Sequence, residues 1–526
     1  MGAPPHGAYH PKMRVVKVFA ILVSLVVVAV CGTFVYRWHA QTDRPTVAAL
    51  LHRARVLAEV RLHPAGSDEL VALARLSAPA DEWTTFAHDD RRSGFQSQPT
   101  GLTRDTVGTL QRRWMRSLGE PVRASPLVAN GLIYVASDSG TVFALDAADG
   151  TLRWQRRIGD SVRMTPALVH GALLVGSYGT FGPAGAKPYG AAFYALDART
   201  GAVRWRTPLP GLIRAEPVVL NGTIYEGLAG GDSFSGCFAG RVVALDERSG
   251  ALRPAVWRTS DRPDDGGGVW GPLSTDGRTI YFGTGNTCRS LGAAAYGDSI
   301  VALTPDLRLV WHASAAVPGV DDSDVGGGVA LVGSRAYVAG KSGYLYELER
   351  GSGRILARRD LAPFARNGGS IGTPTGDGTV VLISGGNEKN PDLVGSTAGS
   401  LLTAFDLAGR VRYRLHSNAV VNGYAAFVPG VGFTVLDRQL VAFDAASGEQ
   451  LWSADVGAYA YASPVVVPSG VYAATDAGDV FAFGSRAAAT RLAATAATAA
   501  SAAAPGYALR AGGKGSAREP SSATIP

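Results

Sequence analysis

The sequence predicts an all-β chain, an eight-bladed β-propeller preceded by an N-terminal transmembrane helix, and three observations carry that reading. One phrase, best preserved as Ala-Leu-Asp, three residues, Gly, three residues, Trp, recurs eight times between Phe143 and Phe483. Successive copies start roughly 40 to 60 residues apart, the period of propeller arrays rather than of helical solenoids. Two short alternating apolar runs separated by turn residues lie between copies, so each unit supplies four strands, one blade.

Residues 1–17 are basic, with Lys12, Arg14 and Lys17. Residues 18–36 carry no charge and are just long enough to cross a bilayer as a helix. The cations ahead of this run outweigh Arg37 and Arg44 behind it, which puts the remainder of the chain outside the cytoplasm. A cleaved secretory signal is the competing reading. The apolar run is long for that, and Arg37-Trp38-His39 makes a poor small-residue cleavage site.

Residues 37–82 place Val47, Leu50, Leu51, Val56, Leu57 and Val60 at helical spacing and read as a helical spacer. Residues 83–484 hold the propeller. Its cleanest phrases are Asp146-Gly150-Trp154, Asp197-Gly201-Trp205 and Asp444-Gly448-Trp452, with a stretched copy at Asp246, Gly250 and Trp257. In each, Asp can bond the backbone ahead and Gly supplies a positive φ, so a strand ends in a tight turn. The Trp on the following outer strand then wedges one blade against the next. Weaker copies pass through Trp311, Gly353 and Tyr413, and the last, ending at Gly484, lacks its Trp strand. Residues 110–118, which include Trp114, are the natural donor of the missing strand. Residues 485–526 are mostly Ala, Thr, Ser and Gly and are predicted to be disordered.

The bulk composition agrees. One propeller of about 400 residues absorbs most of the chain, and 67 Gly with 29 Pro suit a turn-rich β protein. The net charge of +7 is spread through turns without a basic run interleaved with aromatics, which argues against nucleic acid as a partner. Of the three cysteines, Cys31 falls in the apolar run, while Cys237 and Cys288 are either a disulfide or two buried thiols. No Cys-x-x-Cys-His occurs, so no c-type haem is attached.

Chemistry is expected where the repeat breaks, at the axial cup on which all blades converge. The densest break surrounds Trp270, which opens an inner strand, so its indole is expected to face the axis, where a flat ligand can stack. Asn286 sits in a glycine-rich turn that allows close backbone approach, and its side-chain oxygen suits a hard cation. Asp321, Asp322 and Asp324 put three carboxylates in four residues, a crowding relieved by a cation or a raised pKa, or else a solvated acidic turn.

Together with the repeats, Val-Trp-Gly-Pro (269–272), Tyr-Phe-Gly-Thr-Gly-Asn (281–286), Gly-Asp-Ser-Ile-Val-Ala-Leu (297–303) and Asp-Ser-Asp-Val-Gly (322–326) make a specific set. The chain resembles the pyrroloquinoline quinone (PQQ)-dependent dehydrogenases, and within them the polyvinyl-alcohol dehydrogenase-like quinoproteins. Residues 83–95, with Phe86-Ala87-His88-Asp89 inside, resemble that family's opening segment. The resemblance implies a quinoprotein alcohol dehydrogenase-like propeller with PQQ resting on Trp270 and calcium held by Asp232, Asn286 and Asp324. It also implies that Asp324 is the catalytic base, that Lys341 bonds the quinone oxygens, and that Arg214 meets a quinone carboxylate. Two departures accompany it. Asp232 stands where the family has the longer Glu, and Thr165-Pro166 stands where some members have adjacent cysteines. The implied function is oxidation of a small-molecule or polymer alcohol, or a sugar hydroxyl, by a membrane-anchored extracytoplasmic enzyme. Electrons would pass to a separate acceptor, cytochrome c or a membrane quinone. The alternative is a non-catalytic propeller, an envelope-assembly scaffold or a sensor.

Overall fold

Short strands joined by tight turns can pair only with their neighbours in sequence, and each repeat accordingly folds on itself as an antiparallel sheet. The structure, a computed structural model, describes residues 82–484 except 181–188, 231–237, 263–264, 288–293, 319, 321–322, 362–371, 386–399 and 420. The apolar run 18–36, the spacer, the tail, Cys237, Cys288, Asp232, Asp321 and Asp322 therefore lie outside the described residues.

Eight sheets follow one another along the chain. The first blade sets the pattern with Leu127–Ala129, Leu132–Ala136, Thr141–Asp146 and Leu152–Arg157, ordered from the axis outward. Blades two to five repeat it through Pro208, Arg258, Ser314 and Asp360, the third gaining a short extra strand, Leu212–Ile213. Blade six shows three strands among the described residues, with Thr375 bridging Leu382 at its inner edge. Blade seven runs from Ala426 to Asp455. Blade eight has Val465–Val467, Gly470–Ala474 and Asp479–Gly484, and its fourth strand is Gln111–Ser117 from the other end of the propeller. Trp114 pairs with Ala482 there, and Gln111 with Gly484. The ring is closed by the donor strand that the truncated last phrase required. The single helical element among the described residues is the 3-10 turn Val107–Thr109, and no described helix is long and apolar enough to cross a membrane.

The hairpin Leu127–Ala136 turns through Asn130 and Gly131 at φ 55° and 71°, the left-handed pair of a type I′ turn. The apolar runs themselves do not alternate. Leu132–Ala136 is buried throughout, because each sheet has another packed on both faces, as in the all-apolar strands of doubly covered sheets. Alternation survives only on outer strands such as Val203–Pro208.

The repeated Trp residues do dock between blades. Trp114, Trp154, Trp205 and Trp311 each donate Nε1–H to a backbone carbonyl in the next blade's turn, those of Ala147, Ala198, Glu247 and Arg350, at 3.0 to 3.2 Å. The turn glycine lies against the indole: a Cβ on Gly150 would come within 2.7 Å of the Trp114 ring. Blade five departs from this pattern. Ala357 takes the Trp register, opposite buried Glu347, which pairs instead with Arg359 at 2.8 Å and Arg335 at 3.2 Å.

Residues 83–96 close one end of the axis by bonding seven blades in turn. Trp83 N–H donates to Val128 O, Leu168 N–H to Thr84 O, Thr275 N–H to Asp90 O, and Leu331 N–H to Arg91 O. Gly376 N–H donates to Ser93 O and Phe427 N–H to Gly94 O. Arg92, fully buried, reaches blade three through Nη2 to Pro217 O at 2.8 Å and blade four through Nε to Leu273 O at 2.6 Å.

Candidate active site on the propeller axis

Above that plug lies a pocket lined by residues of all eight blades, with Phe86 of the plug among them. Its wall is a belt of side chains that accept backbone N–H groups from the preceding blade. Tyr424 N–H donates to Ser463 Oγ at 2.8 Å, Ser463 N–H to Ser125 Oγ at 3.0 Å, and Ser125 N–H to Thr165 Oγ1 at 3.1 Å. Thr165 N–H then donates to Glu216 Oε1 at 3.0 Å, and Gly328 N–H to Thr373 Oγ1 at 2.9 Å. These bonds satisfy backbone groups where the inner strands are too far apart to pair, and they fix the residues two places earlier at the pocket's edge.

The structure brings Trp270, Asn286, Asp324, Lys341 and Arg214 together. Trp270 precedes the short inner strand Ser274–Thr275 rather than opening it, and it lines the pocket. Gly326 is small because the indole edge occupies its side-chain space: a Cβ there would lie 1.9 Å from Trp270 Cη2. Asp324, which is 8% exposed, accepts Lys341 Nζ at 2.7 Å on Oδ2 and the Asn286 N–H on Oδ1. Asn286 Oδ1 in turn accepts Ser323 N–H at 3.2 Å. Lys341 Nζ stands 5.2 Å from the Trp270 ring centroid. The cluster is thus a carboxylate clamped by an ammonium and a backbone amide beside an indole.

Arg214 does not project as an isolated fork. Its guanidinium lies over Trp270 at 4.9 Å from the ring centroid and donates Nη2–H to Tyr461 Oη at 2.8 Å. The Tyr461 hydroxyl beside it raises its pKa against the pull of burial. Asp232, the third proposed metal ligand, is outside the described residues, and no group of three or more His, Cys, Asp or Glu fit for a metal occurs among the described ones.

Sequence reasoning missed several pocket residues. Arg123, Arg163, Glu216, Tyr461 and the belt hydroxyls all line it. A second repeat carries them: Arg-Ala-Ser-Pro at 123–126, Arg-Met-Thr-Pro at 163–166, Arg-Ala-Glu-Pro at 214–217 and Tyr-Ala-Ser-Pro at 461–464. Glu216 is the outlier of that set. Burial pushes its carboxyl up to about 7, against the opposing pull of the Thr165 amide, Arg92 and Arg214. Behind it Glu226 is wholly buried with neither oxygen hydrogen-bonded, and burial, reinforced by Glu216, holds its carboxyl well above the ordinary range.

An all-β ring of eight blades around a plugged axial pocket is a propeller of the quinoprotein alcohol dehydrogenase fold. The chain belongs to the PQQ_2 family, described as outer membrane protein assembly factor BamB, which matches residues 109–179, 186–295 and 397–492, together more than half of it.

Among curated relatives, a quinoprotein alcohol dehydrogenase, PedH, of Pseudomonas putida is 26% identical over 60% of this chain and 60% of its own. A polyvinylalcohol dehydrogenase of Sphingopyxis is 24% identical over 72% of this chain and 67% of its own. A polyvinylalcohol dehydrogenase of Pseudomonas is 25% identical over 40% of this chain, and only 37% of that protein's length is spanned. Among solved structures, the quinohemoprotein alcohol dehydrogenase of Comamonas testosteroni superposes with a TM-score of 0.64 at 20% identity, over 83% of this chain and 84% of that one. BamB from Moraxella catarrhalis superposes at 0.51 and 18% identity, over 72% and 98%. At these identities the superpositions speak to the fold alone.

Proposed function

We propose that this protein is a PQQ-dependent dehydrogenase that oxidises the hydroxyl of an alcohol or sugar. One observation carries the reading: Trp270, Asn286, Asp324 and Lys341, far apart in sequence, form one cluster beside the axial pocket that Trp270 lines. The chemistry of these residues fits the cofactor. Trp270 offers a flat apolar surface with glycine at its edge, and Arg214 and Lys341 offer charge to an anionic ring. Asn286 Oδ1 and the Asp324 carboxylate are oxygen donors suited to a hard divalent cation such as calcium, with Asp232 as a third.

When bound, the quinone supplies the two-electron acceptor that no side chain offers. Asp324 takes the substrate's hydroxyl proton, since an ionised carboxylate is acceptor-only and this one stands in the cluster beside Trp270. Lys341 holds Asp324 through its 2.7 Å contact and offers positive charge to an oxygen gaining electron density. Phe86 and Trp270 keep water from the floor and one wall. In this reading residues 18–36 anchor the chain, the propeller stands outside the cytoplasm, and electrons leave to a cytochrome c or a membrane quinone.

The test is turnover of the PQQ-loaded chain with an artificial electron acceptor. Asp324→Asn is expected to lower kcat by about 10²- to 10⁴-fold while leaving cofactor binding intact. Wild-type turnover in that variant would overturn the assignment. A second reading, a non-catalytic scaffold or sensor, is favoured by the Arg214 guanidinium already stacked on Trp270 and tied across the axis to Tyr461. Under it, the wild-type chain reduces no acceptor.

A further inference from the structure

Arg123, Arg163 and Arg214 stand at the same place in three successive blades, two residues ahead of the belt side chains Ser125, Thr165 and Glu216. They form one cluster, because Arg123 shares a partner with each of the other two. Asp138 lies 3.1 Å from Arg163 Nε and 3.9 Å from Arg123 Nε. Arg123 Cζ stands 5.8 Å from the Tyr461 ring centroid, and Tyr461 Oη accepts Arg214 Nη2–H. Arg214 leads on to Trp270, and Trp270 to Lys341. Arg163 Cζ lies 4.5 Å from the Tyr178 ring centroid. Each cation of the cluster thus stands beside an aromatic face.

The charge of this cluster is unbalanced. Three guanidiniums line the pocket, and the one carboxylate lining it among the described residues is Glu216, whose carboxyl burial pushes up to about 7. Asp138 faces two arginines at once. Both hydrogen bonds of Arg163 among the described residues, to Asp138 and Ser161, leave from Nε, which turns the outer fork of the guanidinium away from them. A planar fork held on an aromatic ring matches a carboxylate through two parallel N–H bonds.

We propose that Arg123 and Arg163 form a carboxylate subsite on the wall of the axial pocket that blades one and two provide. The carboxylate belongs either to the bound cofactor or to a substrate that is a hydroxy acid. The inference shares its pocket with the proposed function and rests on that reading for these two sources, whereas the subsite itself also takes a simple aromatic polycarboxylate.

The experiment titrates the full chain and its Arg123→Gln, Arg163→Gln and Asp138→Asn variants with benzene-1,3,5-tricarboxylate and with PQQ, by calorimetry, after thermal melts show each variant folded. Each arginine variant is expected to weaken tricarboxylate binding about 10- to 100-fold, and Asp138→Asn to tighten it, a reversal that a purely structural role would not produce. A parallel loss for PQQ assigns the subsite to the cofactor. Unchanged PQQ affinity with a raised KM for glycolate, but not for ethanol, assigns it to the substrate. Tricarboxylate binding that needs the arginines, in a chain indifferent to PQQ, supports the subsite and defeats the dehydrogenase reading. Folded Arg123→Gln and Arg163→Gln proteins that keep wild-type affinity for both probes and an unchanged glycolate-to-ethanol KM ratio overturn the subsite and leave the dehydrogenase reading standing.

Discussion

Two pocket residues are held by contacts tight enough to predict from. Gly326 leaves the edge of Trp270 its place, and Gly326→Ala forces the ring to move. We expect a cost of about 1–3 kcal/mol and a loss of PQQ affinity like that of Trp270→Ala, measured by melting and by titration. Glu216 is a matter of linkage. Its carboxyl rises from the ordinary 4.5 to about 7 through burial, so the folded chain keeps a proton that the unfolded chain has lost. The stability this group contributes is full below 4.5 and is lost as pH climbs through 7, by up to roughly 3 kcal/mol. Glu216→Gln keeps an acceptor for the Thr165 N–H, and its thermal stability is expected to fall less between pH 4.5 and 7 than that of the parent. Identical pH profiles would refute the burial argument. Trp270, Asn286, Asp324 and Lys341 were legible as breaks in a repeat and through a family's motifs. Arg123, Arg163 and Glu216 were not, because they belong to a second, weaker repeat whose members vary between Arg, Trp, Asn and Tyr at the pocket edge.

At the level of the blade, the docking phrase is an interaction between sheets written as a local motif. Gly150 and Gly131 both have φ near +70°, but only Gly150 faces an indole, while a Cβ on Gly131 would meet nothing within 4 Å. Ala at Gly131 carries backbone strain alone, about 1–2 kcal/mol. Ala at Gly150 adds the clash with Trp114, a further ~1–3 kcal/mol, so the difference between the two melts isolates the docking contact. Equal losses would mean that Trp114 yields freely. The strands and turns of this motif could be read from the sequence because Asp, Gly and Trp do their work within twelve residues of one another. Blade five was legible only as a weak copy through Gly353, since Glu347 with Arg335 and Arg359 replaces an apolar pair by a charged one. Alternation failed as a guide to the inner strands for a related reason, that both faces of every blade are covered.

Across the whole ring, closure depends on the segment ahead of the first blade. Strand Gln111–Ser117 completes blade eight, and residues 83–96 bond seven blades. The closing strand was foreseeable by counting Trp residues, but the plug was not, because its bonds are made by backbone groups and by one arginine. Arg92→Ala strips Pro217 O, Leu273 O and Phe86 O of a buried donor and is expected to cost about 3–5 kcal/mol, read as a lower melting point with loss of ligand binding. A chain lacking Gln111–Ser117 is expected to unfold without a single cooperative transition, as blade eight then presents an open edge. A quinone site on the axis of this closed ring is open to direct measurement. It is tested most directly by titrating the full chain with PQQ in the presence of calcium and following the cofactor's absorbance. Saturable binding is expected, lost in Trp270→Ala and weakened in Asn286→Ala. A folded chain that binds no PQQ at high micromolar concentration contradicts it.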